Sequence, residues 1–274
     1  MKLNTDNITK EENESATKIY SALKSGSRCF GSPAEGLRKT LDNLETKHLS
    51  VNFTKTQWVL TDLEYEEQVA KLKAGIEGEE QLAEYLSTLL KYKDDLDGVL
   101  AFASMSFEQD NTSLGYIPDS DFLLVHGSNF MILDAKNVNT NPETELYVDK
   151  ESDNTECLLT ARGKVILDAI HDGCPIWKAQ FEKEGITYDS FRSFVCIVNK
   201  KGADIIHNDY WQASTNKVIH ISELENLLMD WVTENRGNAT DVCSLKTLVA
   251  ISKAQIKRKQ TDLDLTQMKK EFKI

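Results

Sequence analysis

The sequence lacks any long hydrophobic run. Nowhere do eighteen apolar residues follow one another, and the first residues form no apolar segment of signal-peptide length. Neither a membrane helix nor a secretory leader is therefore predicted, and we expect a soluble, cytoplasmic chain. The five cysteines are odd in number and contain no Cys-x-x-Cys pair, so they indicate neither a disulfide framework nor a zinc–thiolate site.

Several common catalytic motifs are also absent. The sequence has no Gly-rich loop of the P-loop or dinucleotide-binding type and no Gly-x-Ser-x-Gly nucleophile elbow. Its five histidines show no spacing typical of metal ligands. We therefore do not predict a kinase, a nucleotide hydrolase, a dehydrogenase or a serine hydrolase that depends on these motifs.

The net charge of −12 argues against a protein that coats nucleic acid nonspecifically, because phosphate binding draws its affinity from clustered lysine and arginine. It does not exclude a nuclease, in which carboxylates are neutralised by a bound cation. With 274 residues and 40% hydrophobic content, the chain can bury a full core.

Helix caps and periodicity divide the chain into segments. Thr9–Glu12 and Ser32–Glu35 are typical capping boxes and predict helices over 10–24 and 33–47. A β-type patch follows over 50–60, and a long helix is predicted over 63–92. Towards the end, apolar residues from Leu245 onwards have near-helical spacing.

The helix over 63–92 carries an acidic residue inside its apolar face. Steps of three and four residues place seven positions on one side: Val69, Leu72, Ile76, Glu79, Ala83, Leu86 and Leu90. Burying the Glu79 carboxylate is costly unless it is paired, hydrogen-bonded or bound to a metal. Gly75 and Gly78 beside it predict close approach of another backbone. The alternative is that Glu79 lies at the edge of the face with its carboxylate in water.

Residues 121–136 form two apolar strands around a Gly127-Ser128 turn and predict a β-hairpin. With a two-residue loop the numbers of paired residues add up to 255, which places Asp121 opposite Asp134. Alternation of side chains then puts Lys136 on the same face. Like charges in such a pair are unfavourable unless they share a cation. In the alternative interpretation both aspartates cap the hairpin ends in water and Lys136 pairs with one of them.

Three segments in order resemble the nuclease-related domain (NERD) family of the PD-(D/E)xK nuclease superfamily. They are Ala74-Gly-Ile-Glu-Gly-Glu79, Ser120-Asp-Phe-Leu-Leu-Val125 and Phe130-Met-Ile-Leu-Asp-Ala-Lys-Asn137. Predicted strands over 191–198 and 217–221, and a helix capped by Ser222 and Glu225, continue the similarity.

The resemblance implies an α/β fold with a restriction-endonuclease-like mixed central sheet flanked by helices. The nuclease domain would span 63–235, with helical extensions over 1–62 and 236–274. It implies four catalytic residues, Glu79, Asp121, Asp134 and Lys136. Mg²⁺ or Mn²⁺ would be held by Asp121, Asp134, the Ala135 backbone carbonyl and Glu79. The substrate would be nucleic acid, DNA ahead of RNA, with defence against foreign DNA or DNA processing as the setting.

Two departures from the family pattern concern individual residues. Gln180 stands five residues after Pro175, whereas the family often has Asn-Pro-x-x-Gln, and the acid before the lysine is aspartate where glutamate is common. Asp119 is a competing acid, because pairing that adds up to 255 would put it opposite Lys136.

The alternative to an enzyme is a catalytically inactive nuclease-fold module that binds nucleic acid or protein. The helical extensions could also support a homodimer or a partner protein, and no membrane association is predicted.

Overall fold

The computed structural model describes residues 26–54, 62–106, 119–138, 145–150, 156–160, 162–167, 170, 174–183, 185–198, 205–206 and 216–235, with a few isolated positions between 14 and 21. Within these residues the α-helices are α1 (Glu35–Thr54), α2 (Asp62–Tyr92), α3 (Cys174–Lys183) and α4 (Leu224–Glu234). The strands within them are β1 (Cys29–Phe30), β2 (Val99–Ser106), β3 (Asp119–His126), β4 (Asn129–Lys136), β5 (Leu146–Lys150), β6 (Glu156–Thr160), β7 (Val165–Leu167), β8 (Ser190–Ile197), β9 (Ile205–Ile206) and β10 (Asn216–His220).

Six strands form a mixed central sheet in the order β1-β2-β3-β4-β8-β10. β3 is antiparallel to both of its neighbours, whereas β1–β2, β4–β8 and β8–β10 pair in parallel. The start of β3 therefore lies at the same edge of the sheet as the ends of β2, β4, β8 and β10. The predicted α/β fold, with a mixed central sheet flanked by helices, is confirmed.

The β3–β4 hairpin has the predicted register. Pairs from Phe122↔Leu133 to His126↔Asn129 all add up to 255, and the loop is Gly127-Ser128. Gly127 has a φ of +60°, a left-handed value that two-residue hairpin turns need and that glycine adopts without strain.

Helices cover both faces of the central sheet. On one face α2 and α4 bury a row of apolar side chains that includes Leu82, Leu86, Leu228 and Trp231. On the other face α3 packs Trp177, Phe181 and Cys174 against strands β2, β3 and β4. Strands β3 and β4 are thus buried on both sides, which is why their sequences are continuously apolar.

A second sheet of four strands, in the order β7-β6-β5-β9, was not predicted from the sequence. Its Val148 and Leu158 are fully buried and share an apolar cluster with Val195, Ile197 and Val218 of β8 and β10. The second sheet therefore packs on the central sheet, beside the end of β4.

Two predictions in the N-terminal part are wrong in detail. The helix predicted over 33–47 begins at Glu35 and runs to Thr54, so the strand predicted over 50–60 is helical as far as residue 54. Residues 55–60 lie outside the described part. Once started, a helix gains one hydrogen bond for each residue added, and this outweighs the weak β preference of the patch.

The later elements agree better with the prediction. α2, β8 and β10 match the predicted 63–92, 191–198 and 217–221 to within a residue. The cap near α4 differs, because the chain first makes a 3-10 turn over Ile221–Glu223. The capping box is therefore formed by His220 and Glu223 rather than by Ser222 and Glu225.

Residues 28–54 take part in the central fold. β1 pairs with β2, and α1 packs on α2. The helix predicted over 10–24, apart from a few isolated helical positions, and the C-terminal extension over 236–274 lie outside the described residues. None of the helices that the structure describes is both long and apolar enough to cross a membrane.

Candidate active site

The predicted site lies where β3 begins and β4 ends. Asp121 is partly buried, and its Oδ2 accepts a hydrogen bond of 2.7 Å from the backbone N–H of Ala135. The charge of Asp134 also acts on the Asp121 carboxyl and raises its pKa. The two carboxylates therefore lie near each other, as the hairpin register predicted.

Lys136 pairs with Asp134. The distance from Nζ to Oδ2 is 2.6 Å, and the two side chains are 35% and 37% exposed. The ammonium thus lies at the surface of the site, where it can meet a ligand from solvent.

Glu79 reaches the same place from α2, which lies directly on the end of β4. A Cβ added to Gly78 would come within 2.9 Å of the Asn137 Cβ, so only glycine permits this approach. The Asn137 side-chain amide donates to the Ala74 carbonyl at 2.8 Å and fixes the helix there. The close backbone approach predicted for Gly78 is confirmed. At Gly75 the neighbour is instead the side chain of Leu37.

Glu79 is only 3% exposed, and its buried carboxylate has a hydrogen-bond partner that was not predicted from the sequence. Its Oε2 accepts a hydrogen bond of 2.7 Å from the backbone N–H of Ala34, immediately before α1. A carboxylate at a helix N-terminus is also stabilised by the helix dipole. Glu79 therefore attaches α1 to the site, which accounts for its burial without a metal.

Two residues at this junction have backbone angles that non-glycine residues rarely adopt. Ala34 has a φ of +55° and Ser104 a φ of +56°. The Ser104 hydroxyl accepts a 3.3 Å hydrogen bond from the backbone N–H of Glu35. Strain of this kind persists only where the surroundings impose it. The Ser32–Glu35 capping box located this helix start approximately, but nothing in the sequence linked it to Glu79.

The start of β3 is fixed from the opposite face as well. Ser120, next to Asp121, accepts a hydrogen bond of 2.6 Å from the indole N–H of Trp177 on α3. Because neighbouring strand residues point to opposite faces, this contact sets the side to which Asp121 turns.

The electrostatics of the site are dominated by crowded carboxylates. Burial raises the pKa of Asp121 well above its ordinary value, and the charges of Asp134 and Glu79 raise it further, while Lys136 acts in the opposite direction. The structure thus brings the other three predicted catalytic residues within electrostatic reach of Asp121. Three carboxylates face one lysine, and their excess negative charge favours a cation.

Among the residues that the structure describes, no group of three or more His, Cys, Asp or Glu side chains is arranged to hold a metal ion. Each carboxylate has another partner: Glu79 the Ala34 N–H, Asp121 the Ala135 N–H, and Asp134 the Lys136 ammonium. Mg²⁺ nevertheless needs only one or two carboxylates, because it keeps several waters. The neighbouring carboxylates of Asp121 and Asp134 fit that requirement.

The two secondary candidates are placed differently. Asp119 opens β3 opposite Ser106 of β2, and its side chain lies outside the described part. Gln180 is on α3, which packs on the opposite face of the sheet from α2 and Glu79.

No protein-family model, curated protein or solved structure matches this chain. The resemblance to the NERD family therefore rests on the three sequence segments around Glu79, Asp121 and Asp134.

Proposed function

We propose that this protein is a metal-dependent nuclease of the PD-(D/E)xK type, with a NERD-like domain and a restriction-endonuclease-like fold. The observation that carries the proposal is the meeting of Glu79, Asp121, Asp134 and Lys136 at one edge of the sheet. These residues come from a helix and two strands, and the resemblance selects the same four from the sequence alone.

Oxygen ligands of the kind present here suit Mg²⁺ or Mn²⁺. Asp121 and Asp134 would hold the ion, with the Ala135 carbonyl and Glu79 as the further ligands that the resemblance implies. When bound, such an ion supplies Lewis-acid stabilisation of a phosphoryl oxygen and makes a bound water more acidic.

Lys136 and Asp121 have separate roles in the proposed reaction. Lys136, anchored by Asp134, places a positive charge where negative charge develops on the phosphate. Asp121 is oriented by the Ala135 N–H, so its carboxylate has a fixed direction. Hydrolysis would add water across the phosphodiester bond and release the leaving strand with a hydroxyl. DNA is proposed ahead of RNA as the substrate.

A second candidate function is a nuclease-fold module that binds nucleic acid or protein without catalysis. The hydrogen bond from Ala34 to Glu79 favours it, because a carboxylate with a structural partner needs no metal to explain its burial. The net charge of −12 points the same way.

The two functions are separated by incubating the purified protein with supercoiled plasmid, linear duplex, single-stranded DNA and RNA in Mg²⁺, Mn²⁺ or EDTA. Asp134→Ala should abolish cutting. Asp230→Ala is the matched control, because it removes an exposed carboxylate on α4 and should cut like the wild type. Absence of cutting on all substrates, together with no calorimetric binding of either ion, would refute the nuclease and leave the binding module.

A further inference from the structure

A cleft of about 260 Å³ lies beside the candidate active site. One wall is the end of β4 and the residues after it, including Lys136 and Asn137. The other wall is β7 with the residue before it, including Lys164 and Val165. The cleft therefore joins the proposed catalytic lysine to the second sheet, of which β5, β6 and β7 lie between β4 and α3 in the sequence.

The charge of this cleft is opposite to that of the whole chain. Two lysines line it, and its lining, as far as the structure describes it, contains no carboxylate, although Lys136 is paired with Asp134 next to the cleft. Arg162, with an exposed side chain, stands two residues before Lys164 in the β6–β7 turn. Among the described ion pairs none involves Arg162 or Lys164. A local excess of cations in a chain of net charge −12 favours an anionic ligand at this position.

The turn that carries these cations is well defined. The Thr160 N–H donates to the Lys164 carbonyl at 2.9 Å, and the Thr160 carbonyl accepts from the Gly163 N–H at 2.8 Å. The Thr160 hydroxyl accepts from the Lys164 N–H at 3.1 Å. Gly163 has a φ of +75°, which closes the turn without strain. The backbone of Lys164 is therefore held in place, which lowers the entropy lost when its side chain meets a phosphate.

An exposed apolar residue completes the surface. Val165, beside Lys164, is 50% exposed, although it belongs to a strand. A cation next to an exposed apolar side chain suits a nucleic-acid strand, which presents both phosphates and the apolar faces of its sugars and bases.

We infer that this cleft and the β6–β7 turn bind the phosphate backbone of the nucleic-acid strand next to the bond that is cut. The inference rests on the proposed nuclease function and adds to it a substrate contact outside the four candidate catalytic residues. Lys164 is the principal contact, and Arg162 extends the same charged edge.

The test compares Lys164→Ala and Arg162→Ala/Lys164→Ala with wild type, using Lys91→Ala as the matched control. Lys91 is an exposed lysine on α2, twelve residues from Glu79 and so about 18 Å away along the helix. Binding of fluorescein-labelled oligonucleotides, single-stranded and duplex, is measured in EDTA as a function of salt. Cleavage kinetics are measured with Mg²⁺. Thermal melts verify that each variant is folded.

The expected result is a weaker salt dependence of binding. The slope of log Kobs against log salt should decrease by about 0.9 for each duplex phosphate that the variant no longer neutralises, or by about 0.7 for a phosphate of a single strand. KM should rise with kcat little changed, because the lysine holds substrate and transition state alike. Lys164→Arg should restore binding, and Lys91→Ala should change nothing.

Each other outcome has a distinct meaning. If the wild type cuts and Lys164→Ala behaves like Lys91→Ala, the cleft assignment is wrong and the nuclease stands. If the wild type binds oligonucleotides without cutting and only Lys164 variants change the slope, the cleft stands and the nuclease fails. Effective competition by polyglutamate at equal charge would overturn nucleic acid as the ligand. No oligonucleotide binding at all would overturn both.

Discussion

Replacing Asp121 by asparagine should stabilise the metal-free protein while it removes the proposed activity. Asp121 is the most crowded of the acids, since burial and the charges of Asp134 and Glu79 all disfavour its ionised form. Asparagine keeps an oxygen that can accept the 2.7 Å hydrogen bond from the Ala135 N–H. Its amide N–H₂ can in addition donate to the Asp134 carboxylate.

The size of this stabilisation follows from the linkage between protonation of Asp121 and folding. Each unit by which folding raises the pKa of Asp121 costs about 1.4 kcal/mol of stability once the group is ionised in both states. For a chain of this size, 1 kcal/mol corresponds to about 2–4 °C in Tm. Because the pKa is raised well above its ordinary value, Asp121→Asn should melt at a higher temperature than the wild type at pH 7 in EDTA.

The pH dependence has a definite sign. Between the unfolded pKa of about 3.9 and the raised folded pKa, the folded protein keeps a proton on Asp121 that the unfolded chain has released. This contribution to stability is therefore full below about pH 4 and is lost as pH rises through the folded pKa. The stability of Asp121→Asn relative to wild type should grow over that interval and then level off.

Melting curves from about pH 4 to 8 in EDTA, repeated with Mg²⁺ or Mn²⁺, measure the effect. The ion should raise the Tm of the wild type, because a ligand that binds only the folded state stabilises it, and should raise that of Asp121→Asn much less. A variant less stable than wild type at pH 7, or a difference independent of pH, would refute the assigned electrostatics. Asp134→Asn is the control. It should gain less, because it also takes the ion-pair partner from Lys136.

Two further predictions concern packing around the site, both measured by urea unfolding. Gly78→Ala should lower the free energy of unfolding by about 1–3 kcal/mol, since the new Cβ would meet the fixed Asn137 Cβ at 2.9 Å. Gly75→Ala should cost less, because its Cβ would meet only the movable end of a leucine side chain. Trp177→Phe should cost about 1–3 kcal/mol by leaving the buried Ser120 hydroxyl unpaired, and most of that loss should disappear when Ser120→Ala is combined with it. Equal effects of the two glycine changes, or additive effects of the second pair, would contradict these contacts.

The hairpin was predictable because a two-residue turn and strict alternation leave one register. Once Gly127 and Ser128 were identified as the loop, the meeting of Asp121 and Asp134 followed by counting. The close backbone approach at Gly78 was also predictable, because glycine in a helix indicates such a contact, but the sequence did not identify the end of β4 as the neighbour.

The environment of Glu79 could not be predicted. Its partner, Ala34, lies 45 residues earlier in the sequence and uses a left-handed backbone conformation that alanine rarely adopts. Tertiary structure imposes this conformation, and local sequence carries no signal for it. The second sheet was missed for a related reason: β5, β6 and β7 have five, five and three residues, too short for periodicity to distinguish them from loops.

The parallel pairing of β4 with β8 obliges the chain to return along the length of the strands between Lys136 and Ser190, and three strands of the second sheet, β5, β6 and β7, lie within that return. Lengthening a connection of this kind is thermodynamically inexpensive, at about 0.6 kcal/mol for each doubling. The hairpin that carries Lys164 can therefore change in length and charge while the acids on β3 and β4 keep their register. Under the proposed function, substrate preference and acid geometry would be separable by mutation, and exchange of residues 156–167 would alter the first without disturbing the second.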